Sequence, residues 1–294
     1  MDVIKAGNLF LPKTNQIPDI LRNARRLGLN AINVPVLIEF IDENDSSPKV
    51  NADSKKTAIE LIREMSNVGL KTILEPYPLV NGGAGSETGI QPSDTIQFFT
   101  NWKRILAELA GDVAIPYRVY AMNTSSNLVL LEQYSDDWIS VFSHLRGLYI
   151  GMITYRTNWW VTAVWDTGPG STTEAYQKKL NNPLFGSPNL DFISISAYFE
   201  LNERARPSVS DLVADLSSTK VYDRQQDVFS EIKAFYDTWG KPIFFGELGA
   251  SSYEYAAFQP WNERPSEVVS EAAQANLFSA YKEKFSPYRV GDRE

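Results

Sequence analysis

Two stretches, Gly28-Leu29-Asn30-Ala31-Ile32-Asn33-Val34-Pro35 and Gly69-Leu70-Lys71-Thr72-Ile73-Leu74-Glu75-Pro76, carry the architecture of the chain. Each follows an amphipathic segment: Ile17, Ile20, Leu21, Ala24 and Leu27 share one stripe, and Ala58, Leu61, Ile62 and Met65 share another. Spacings of three and four predict helices buried on one side. A glycine after the last turn takes the left-handed conformation that other residues resist. The short runs that follow, rich in β-branched residues, predict buried strands. Gly28 to Gly69 and Pro35 to Pro76 are both 41 positions apart, so a helix–Gly–strand unit recurs without further sequence repeat.

Working outward, the same grammar continues. Ile96, Phe99, Trp102, Leu106 and Leu109 predict a third helix, and Ile115 to Met122 a strand. Trp138 to Leu145 reads as helix, Leu148 to Thr154 and Asp191 to Ser196 as strands. A helix from about Asp223 to Trp239 precedes a strand at Pro242 to Gly246, and the last helix covers roughly Ser266 to Phe285. With Val3 to Phe10 as the first, seven strands are each followed by helix. Such alternation predicts a parallel sheet and, at 294 residues, an α/β (β/α)₈ TIM barrel forming a single domain over 1–294. An open doubly wound sheet is the alternative, but no strand leads into a dinucleotide- or phosphate-binding glycine fingerprint. Only Pro287-Tyr288-Arg289-Val290 remains for an eighth strand. That strand is therefore expected to be weak or missing, or the chain to be a segment of a longer protein.

Composition narrows the chemistry. Lys plus Arg is 28 against 36 for Asp plus Glu, a net charge of −8, which phosphate backbones repel; no nucleic-acid partner is expected. No run approaches the ~18 apolar residues of a membrane span. Met1-Asp2-Val3-Ile4-Lys5 lacks the basic head and apolar core of a secretory signal, so a cytoplasmic or virion-associated location is expected. There is no cysteine, and the single histidine, His144, excludes a two-His metal site; its helical surroundings predict plain packing. Neither metal nor cofactor is expected.

In a barrel, side chains at the C-terminal strand ends build the site. Those ends present Glu39, Glu75, Tyr198, Glu200 and Glu247. The fifth strand runs out into Tyr155, Asn158, Trp159, Trp160 and Trp165, with Asp166 behind them, and Trp261 adds a further indole. Carboxylates beside flat rings suit carbohydrate, whose C–H faces lie on indole while its hydroxyls seek polar partners. Glycoside hydrolysis uses two carboxyl groups, about 5–5.5 Å apart for retention and about 6.5–9.5 Å for inversion. Glu247 is the leading candidate, because an apolar strand delivers it between Gly246 and Gly249. Each other candidate has a plainer reading: an ion pair for Glu75, a solvated acidic loop for Glu39 (with Asp42, Glu43 and Asp45), and burial for the tryptophans. The loop Val80 to Gly89 lacks the Lys-Ser/Thr pair of a phosphate site and reads as flexible.

The segments Ile153-Thr154-Tyr155-Arg156-Thr157-Asn158-Trp159, Phe192-Ile193-Ser194-Ile195-Ser196-Ala197-Tyr198-Phe199 and Pro242-Ile243-Phe244-Phe245-Gly246-Glu247-Leu248-Gly249 resemble glycoside hydrolase family 113. The resemblance implies a retaining β-mannanase barrel with catalytic glutamates at the ends of strands four and seven. It puts Glu247 at the nucleophile position, which must be ionised while a partner acid titrates higher, and it puts Tyr198 and Trp159 on the substrate rim. The chain departs from the family at the acid/base. There the sequence reads Tyr120-Ala121-Met122-Asn123-Thr124-Ser125-Ser126-Asn127-Leu128, with no carboxylate. Spacing to Trp138 makes Asn127 the counterpart, with Thr124 as the other register. An amide cannot protonate a leaving oxygen, and a general acid is worth ~10²–10⁴-fold.

Three readings follow. One is an active β-mannan-type glycosidase whose acid is Glu75, Glu132, Asp166 or Glu200. Another is an inactive polysaccharide- or oligosaccharide-binding barrel, for example a phage tail or baseplate component that also contacts other structural proteins. The third, an aldolase- or isomerase-like barrel, needs a Schiff-base lysine at a strand end, and Lys71 opens its strand on the wrong side.

Overall fold

A computed structural model of the chain describes residues 3–10, 12–162, 172–221 and 226–288. The elements run β1 (Ala6–Asn8), α1 (Ile17–Arg26), β2 (Ala31–Phe40), β3 (Lys49–Val50), α2 (Ala52–Asn67), β4 (Lys71–Val80), α3 (Thr95–Leu109) and β5 (Ala121–Ser126). They continue with α4 (Ser135–Arg146), β6 (Met152–Thr157), α5 (Thr173–Leu180), β7 (Phe192–Ser196), α6 (Val209–Asp215), α7 (Val228–Trp239), β8 (Ile243–Glu247) and α8 (Glu271–Phe285).

The recurring unit of the sequence is a unit of structure. Gly28 and Gly69 close α1 and α2 at φ of 64° and 76°, where a Cβ would be strained. The strands that follow, β2 and β4, pair in parallel over their full lengths, from Ala31 opposite Lys71 to Phe40 opposite Val80. The two prolines are staggered by one residue, Pro35 facing Glu75 and Pro76 facing Val36. Side-chain caps fix the helix starts: Asn51 accepts from Ser54 N, Asp94 from Gln97 N, Asp227 from Ser230 N and Ser270 from Ala273 N.

The chain divides into two compact units, Ile4–Asn158 with Asn182–Ser194, and the described residues of Met1–Val3, Trp159–Asn181 and Ile195–Glu294. In the first, the strand order is β1-β2-β4-β5-β6, with the start of β7 next. The successive pairs from β1 to β6 are parallel, and short β3 lies antiparallel on β2. Its core is an aromatic chain: Phe98 stacks on Trp102, Phe99 meets Trp138 edge-on, and Trp138 meets Tyr155 with ring centroids 5.0 Å apart. In the second unit, the Ala197 N–H just past β7 donates to the Glu247 carbonyl at 2.6 Å. Phe245 of β8 packs edge-on against Tyr281 of α8.

Several boundaries differ from expectation, each for a local reason. The fourth strand begins at Ala121 rather than Ile115: a π-helical turn at Ala110–Ala114 extends α3, Pro116 lacks an N–H, and Arg118 is left-handed at φ 51°. The fifth strand begins at Met152 rather than Leu148, leaving Ile150 fully in solvent. The buried stripe of α3 is Phe98, Phe99, Trp102, Ile105, Leu106 and Leu109, and Ile96 lies outside it, 80% exposed. His144 is exposed in the last turn of α4 rather than packed, where a cation would favour the helix dipole. The last helices start at their caps, Asp227 and Ser270, later than the sequence pattern places them. After α8 comes a 3₁₀ turn at Ser286–Tyr288, so no eighth barrel strand is found among the described residues.

Candidate functional site

The β8 exit is built within the second unit. Glu247 is the last residue of β8 and is half-buried, with its carbonyl held by Ala197 N–H. Tyr198 follows directly. A Cβ placed on Gly249 would stand 3.4 Å from Tyr198 Cε1 and 3.5 Å from its Oη, in van der Waals contact, so the phenol ring lies against the segment after Glu247. Trp159 meets that ring edge-on at 5.5 Å. Glu247, Tyr198 and the half-exposed Trp159 thus share one neighbourhood. Nearby in sequence, Ser251 Oγ is sealed from solvent and has no hydrogen-bond partner among the described residues. Glu200 is half-exposed and accepts from Trp261 Nε1 at 3.2 Å, leaving an indole that is 47% exposed.

Alternation separates the paired tryptophans. Trp160 is 2% exposed, stacks on Tyr176, meets Phe199 edge-on and donates from Nε1 to Glu231 Oε2 at 2.8 Å. It is a core residue and cannot stack a sugar, contrary to the expectation from sequence. Trp165 and Asp166 lie outside the described residues.

The first unit holds the remaining candidates around the end of β5. One extra residue bulges β5 between Asn123 and Ser126, so that Asn123 pairs with Thr154 but Ser126 pairs with Arg156. Bulges re-aim side chains in this way. Ser126 Oγ donates to Glu75 Oε1 at 2.5 Å, and Arg156 Nη1 donates to Glu75 Oε2 at 2.9 Å. The second guanidinium nitrogen, Arg156 Nη2, contacts both Glu75 Oε1 and Ser126 Oγ. Glu75 is therefore not at a strand end, as the sequence suggested. It lies mid-way along β4 in a buried bidentate ion pair, where its carboxylate neutralises a guanidinium and is removed as a candidate acid.

Thr124 is fully buried and donates to Thr154 O at 2.8 Å, while Trp102 Nε1 pins the Thr124 carbonyl. Tyr155 lies in the core between Trp138, Phe142 and Phe185, also away from any surface. Burial holds its phenol well above the ordinary range, with the Glu132 charge adding to this and Ser125 opposing it. Glu132 is itself buried and accepts from Thr157 Oγ1 at 2.5 Å. Glu39 is exposed on β2 and accepts from Asn51 Nδ2 at 2.7 Å, as a solvated carboxylate would. Asn158 is half-buried, and its Oδ1 has no partner among the described residues.

Asn127 leaves β5 at φ 57°, a left-handed position that asparagine tolerates better than other side chains. It is 4% exposed, and its Nδ2 donates to Glu87 Oε1 at 3.3 Å. Sequence reasoning missed Glu87, because it sits in the glycine-rich stretch read as flexible. That stretch is built. β4 extends to Val80, 3₁₀ turns follow at Asn81–Gly83 and Glu87–Gly89, Ser86 caps the second, and Gln91 N–H donates to Glu43 O at 2.7 Å. No group of three or more His, Cys, Asp or Glu able to hold a metal occurs among the described residues, and no described helix is long and apolar enough to cross a membrane.

Comparison with known proteins places this arrangement. A comparison with curated sequences finds no match. Among solved structures, a GH113 β-1,4-mannanase superposes with a TM-score of 0.73 at 21% identity, over 98% of this chain and 85% of that one. The GH113 β-mannanase AaManA from Alicyclobacillus acidocaldarius, in complex with ManMIm, gives 0.74 at 16%, over 100% and 84%. A β-glucuronidase from Ruminococcus gnavus gives 0.57 at 14%, over 95% and 39%. These likenesses establish the TIM-barrel fold, here with its eighth strand missing from the described residues. The sequence profile of Glycoside Hydrolase Family 113 matches residues 38–289, from β2 to the turn after α8, and with most of its length inside that match the chain belongs to glycoside hydrolase family 113.

Proposed function

We propose that this chain binds a β-linked, mannan-type polysaccharide and hydrolyses it with retention of configuration, Glu247 forming the glycosyl-enzyme. The observation that carries the reading is the β8 exit: a half-buried carboxylate follows an apolar strand, with Tyr198 laid over Gly249 and Trp159 against Tyr198. In this reading Trp159 and Trp261 offer ring faces to sugar C–H surfaces, and Glu200 and Asn158 offer acceptors to hydroxyls. The orphaned Asn158 Oδ1 supports this, because a buried acceptor left unsatisfied costs about 1–3 kcal/mol and a bound hydroxyl removes that cost. The mannan-type substrate class rests on the family and on its mannanase members.

The test is release of reducing ends from mannan, glucomannan and bacterial wall polysaccharide by the wild type and by Glu247→Gln. Cleavage of at least one substrate by the wild type, lost in the variant, is expected. Cleavage that survives in Glu247→Gln would overturn the assignment of the nucleophile. Asn127 favours a second reading, a barrel that binds glycan without cleaving it, as a phage tail or baseplate component would. That reading predicts glycan-array binding with no reducing ends from any substrate.

A further inference from the structure

The register of β2 against β4 assigns each of their residues to one face of the sheet. Phe40 packs on Phe98 and Trp102 of α3, which puts the even-numbered residues of β2 on the helix-covered face, together with Pro76 and Pro78 opposite Val36 and Ile38. The odd-numbered residues face the other way. On that face Asn33 Nδ2 donates to Asn8 Oδ1 of β1 at 2.5 Å, and Glu75 meets Arg156. Toward the C-terminal ends of the strands the same face carries Leu37 opposite Tyr77, then Glu39 opposite Leu79. Phe10, two positions beyond Asn8, meets Tyr77 edge-on with ring centroids 6.2 Å apart. All of these residues belong to the first compact unit.

We propose that Phe10, braced by Tyr77, is a sugar-stacking subsite on this face, and that Glu39 is its hydroxyl acceptor. The ligand is a pyranose unit of the β-linked polysaccharide argued for above, so the proposal rests on that binding reading. It makes no use of Glu247 or of cleavage.

Three observations carry it. Phe10 is 75% exposed, the most exposed aromatic ring among the described residues, so a ring face is open to a ligand. Scattered apolar side chains in solvent are ordinary, and Ile96 on a helix and Ile150 ahead of β6 are examples. Phe10 differs from them in standing at the strand ends where barrels build their sites, with a second ring against it. The brace is stiff: Tyr77 lies between Pro76 and Pro78, which fix their own φ and hold the residue before each in extended backbone. Its strand also pairs with β2 along its whole length. Glu39 is exposed two positions beyond Leu37 on the same face, with Oε1 held by Asn51 Nδ2 at 2.7 Å. A pyranose presents C–H bonds on its face and hydroxyls around its edge, and a flat ring near an oriented carboxylate matches both.

The experiment measures binding of β-1,4-mannohexaose, soluble glucomannan and bacterial wall polysaccharide by calorimetry, for wild type, Phe10→Ala, Phe10→Leu, Phe10→Trp and Glu39→Ala, with a thermal melt of each. The Phe10 side chain is mostly in solvent, so its variants should fold and melt like wild type. Phe10→Ala and Phe10→Leu should both raise Kd roughly 2- to 10-fold for the glycan that wild type binds, because leucine keeps apolar surface but not the flat face. Phe10→Trp should keep wild-type affinity or tighten it, an outcome that mere packing against Tyr77 does not give. Glu39→Ala should raise Kd by a similar factor, and an unchanged Kd there overturns the assignment of the acceptor. Wild-type affinity in Phe10→Ala overturns the subsite and leaves the glycan reading intact. Wild-type affinity in Phe10→Leu, or affinity as low in Phe10→Trp as in Phe10→Ala, overturns the stacking role. A wild type that binds none of the three glycans overturns the carbohydrate reading and the subsite with it.

Discussion

Glu75 and Glu247 look alike in the sequence, since each follows an apolar run, Ile73-Leu74 before one and Ile243-Phe244-Phe245-Gly246 before the other. Their surroundings differ in kind. Glu75 has Arg156 bidentate on its carboxylate and Ser126 on one of the same oxygens, and both members of the pair are sealed from water, with side chains 6% and 2% exposed. Glu247 ends its strand half-buried, two residues before a glycine that lies against the Tyr198 ring. A carboxylate whose charge is neutralised by a buried guanidinium serves as structure, whereas the proposed nucleophile ends its strand half-buried in the neighbourhood of Tyr198 and Trp159. The pattern that delivers a glutamate to a sheet says nothing of which fate it meets; the partner arriving from a distant strand decides.

The largest expected difference tests that contrast directly. Glu247→Gln should lower turnover on the order of 10⁴–10⁶-fold, the scale of losing a nucleophile in other hydrolases, with a smaller change in unfolding midpoint than the Glu75 variant shows. Glu75→Gln should do the reverse. Removing one partner of a buried ion pair leaves an uncompensated charge, which costs about 3–5 kcal/mol, or roughly 10 °C in thermal midpoint for a chain of this size. Circular dichroism melts alongside reducing-end assays separate the two. A Glu75→Gln protein that melts like wild type would mean that the Arg156 pair contributes nothing, and the contrast would fail.

How much of this was readable in advance follows the same division. Gly28 and Gly69, the stripe of α2, and the apolar run before Glu247 are local patterns, and each is found where the sequence puts it, whereas the α1 stripe holds for Ile17 and Ala24 but not for Leu27, which lies past the helix and is 64% exposed. The polar end of β5 was not legible. Asn123, Thr124, Ser125 and Ser126 lie past the predicted strand, yet all four are buried; Thr154 O takes the Thr124 hydroxyl, and Glu75 and Arg156 take that of Ser126. Those partners lie thirty or more residues away, beyond any window of periodicity. Glu87 was hidden in the same way: its neighbours in sequence are glycines and small polar residues, and only its contact with Asn127 across forty positions singles it out. Arg156 went unremarked because the predicted strand stops at Thr154, whereas the strand runs to Thr157 and a buried strand arginine signals a buried acid elsewhere in the chain.

Adjacent tryptophans sharpen the comparison at smaller scale. Trp160→Ala should destabilise by about 3–5 kcal/mol, as the truncation of a fully packed indole does, and should strand the Glu231 carboxylate without one of its donors. Trp159→Ala, one position away, should leave the melt nearly unchanged. It should raise KM for a mannooligosaccharide roughly 2- to 10-fold, the 0.5–1.5 kcal/mol of a ring contact, with kcat retained. Equal effects of the two on stability would mean that Trp159 is packing as well, and would remove it from the sugar-facing set.

The smallest effect concerns a third carboxylate, which stands between the other two in kind. Glu231 is partly buried and has no cation on its carboxylate among the described residues; its donors are the neutral Trp160 Nε1, Thr162 Oγ1 and Gln226 Nε2. Burial dominates and holds its pKa above the ordinary 4.5, with the hydrogen bonds from Thr162, Gln226 and Trp160 pulling the other way. Between the ordinary value and the raised one, the folded chain binds more protons at this site than the unfolded chain does. The Glu231 contribution to stability is thus fully present below the ordinary pKa and is lost as pH rises through the raised value. Urea midpoints of wild type and Glu231→Gln measured across that window should differ by an amount that falls with rising pH and levels off above it. A difference that grows with pH instead would mean that the three donors outweigh burial, and that neutral hydrogen bonds alone can do for a buried glutamate here what Arg156 does for Glu75.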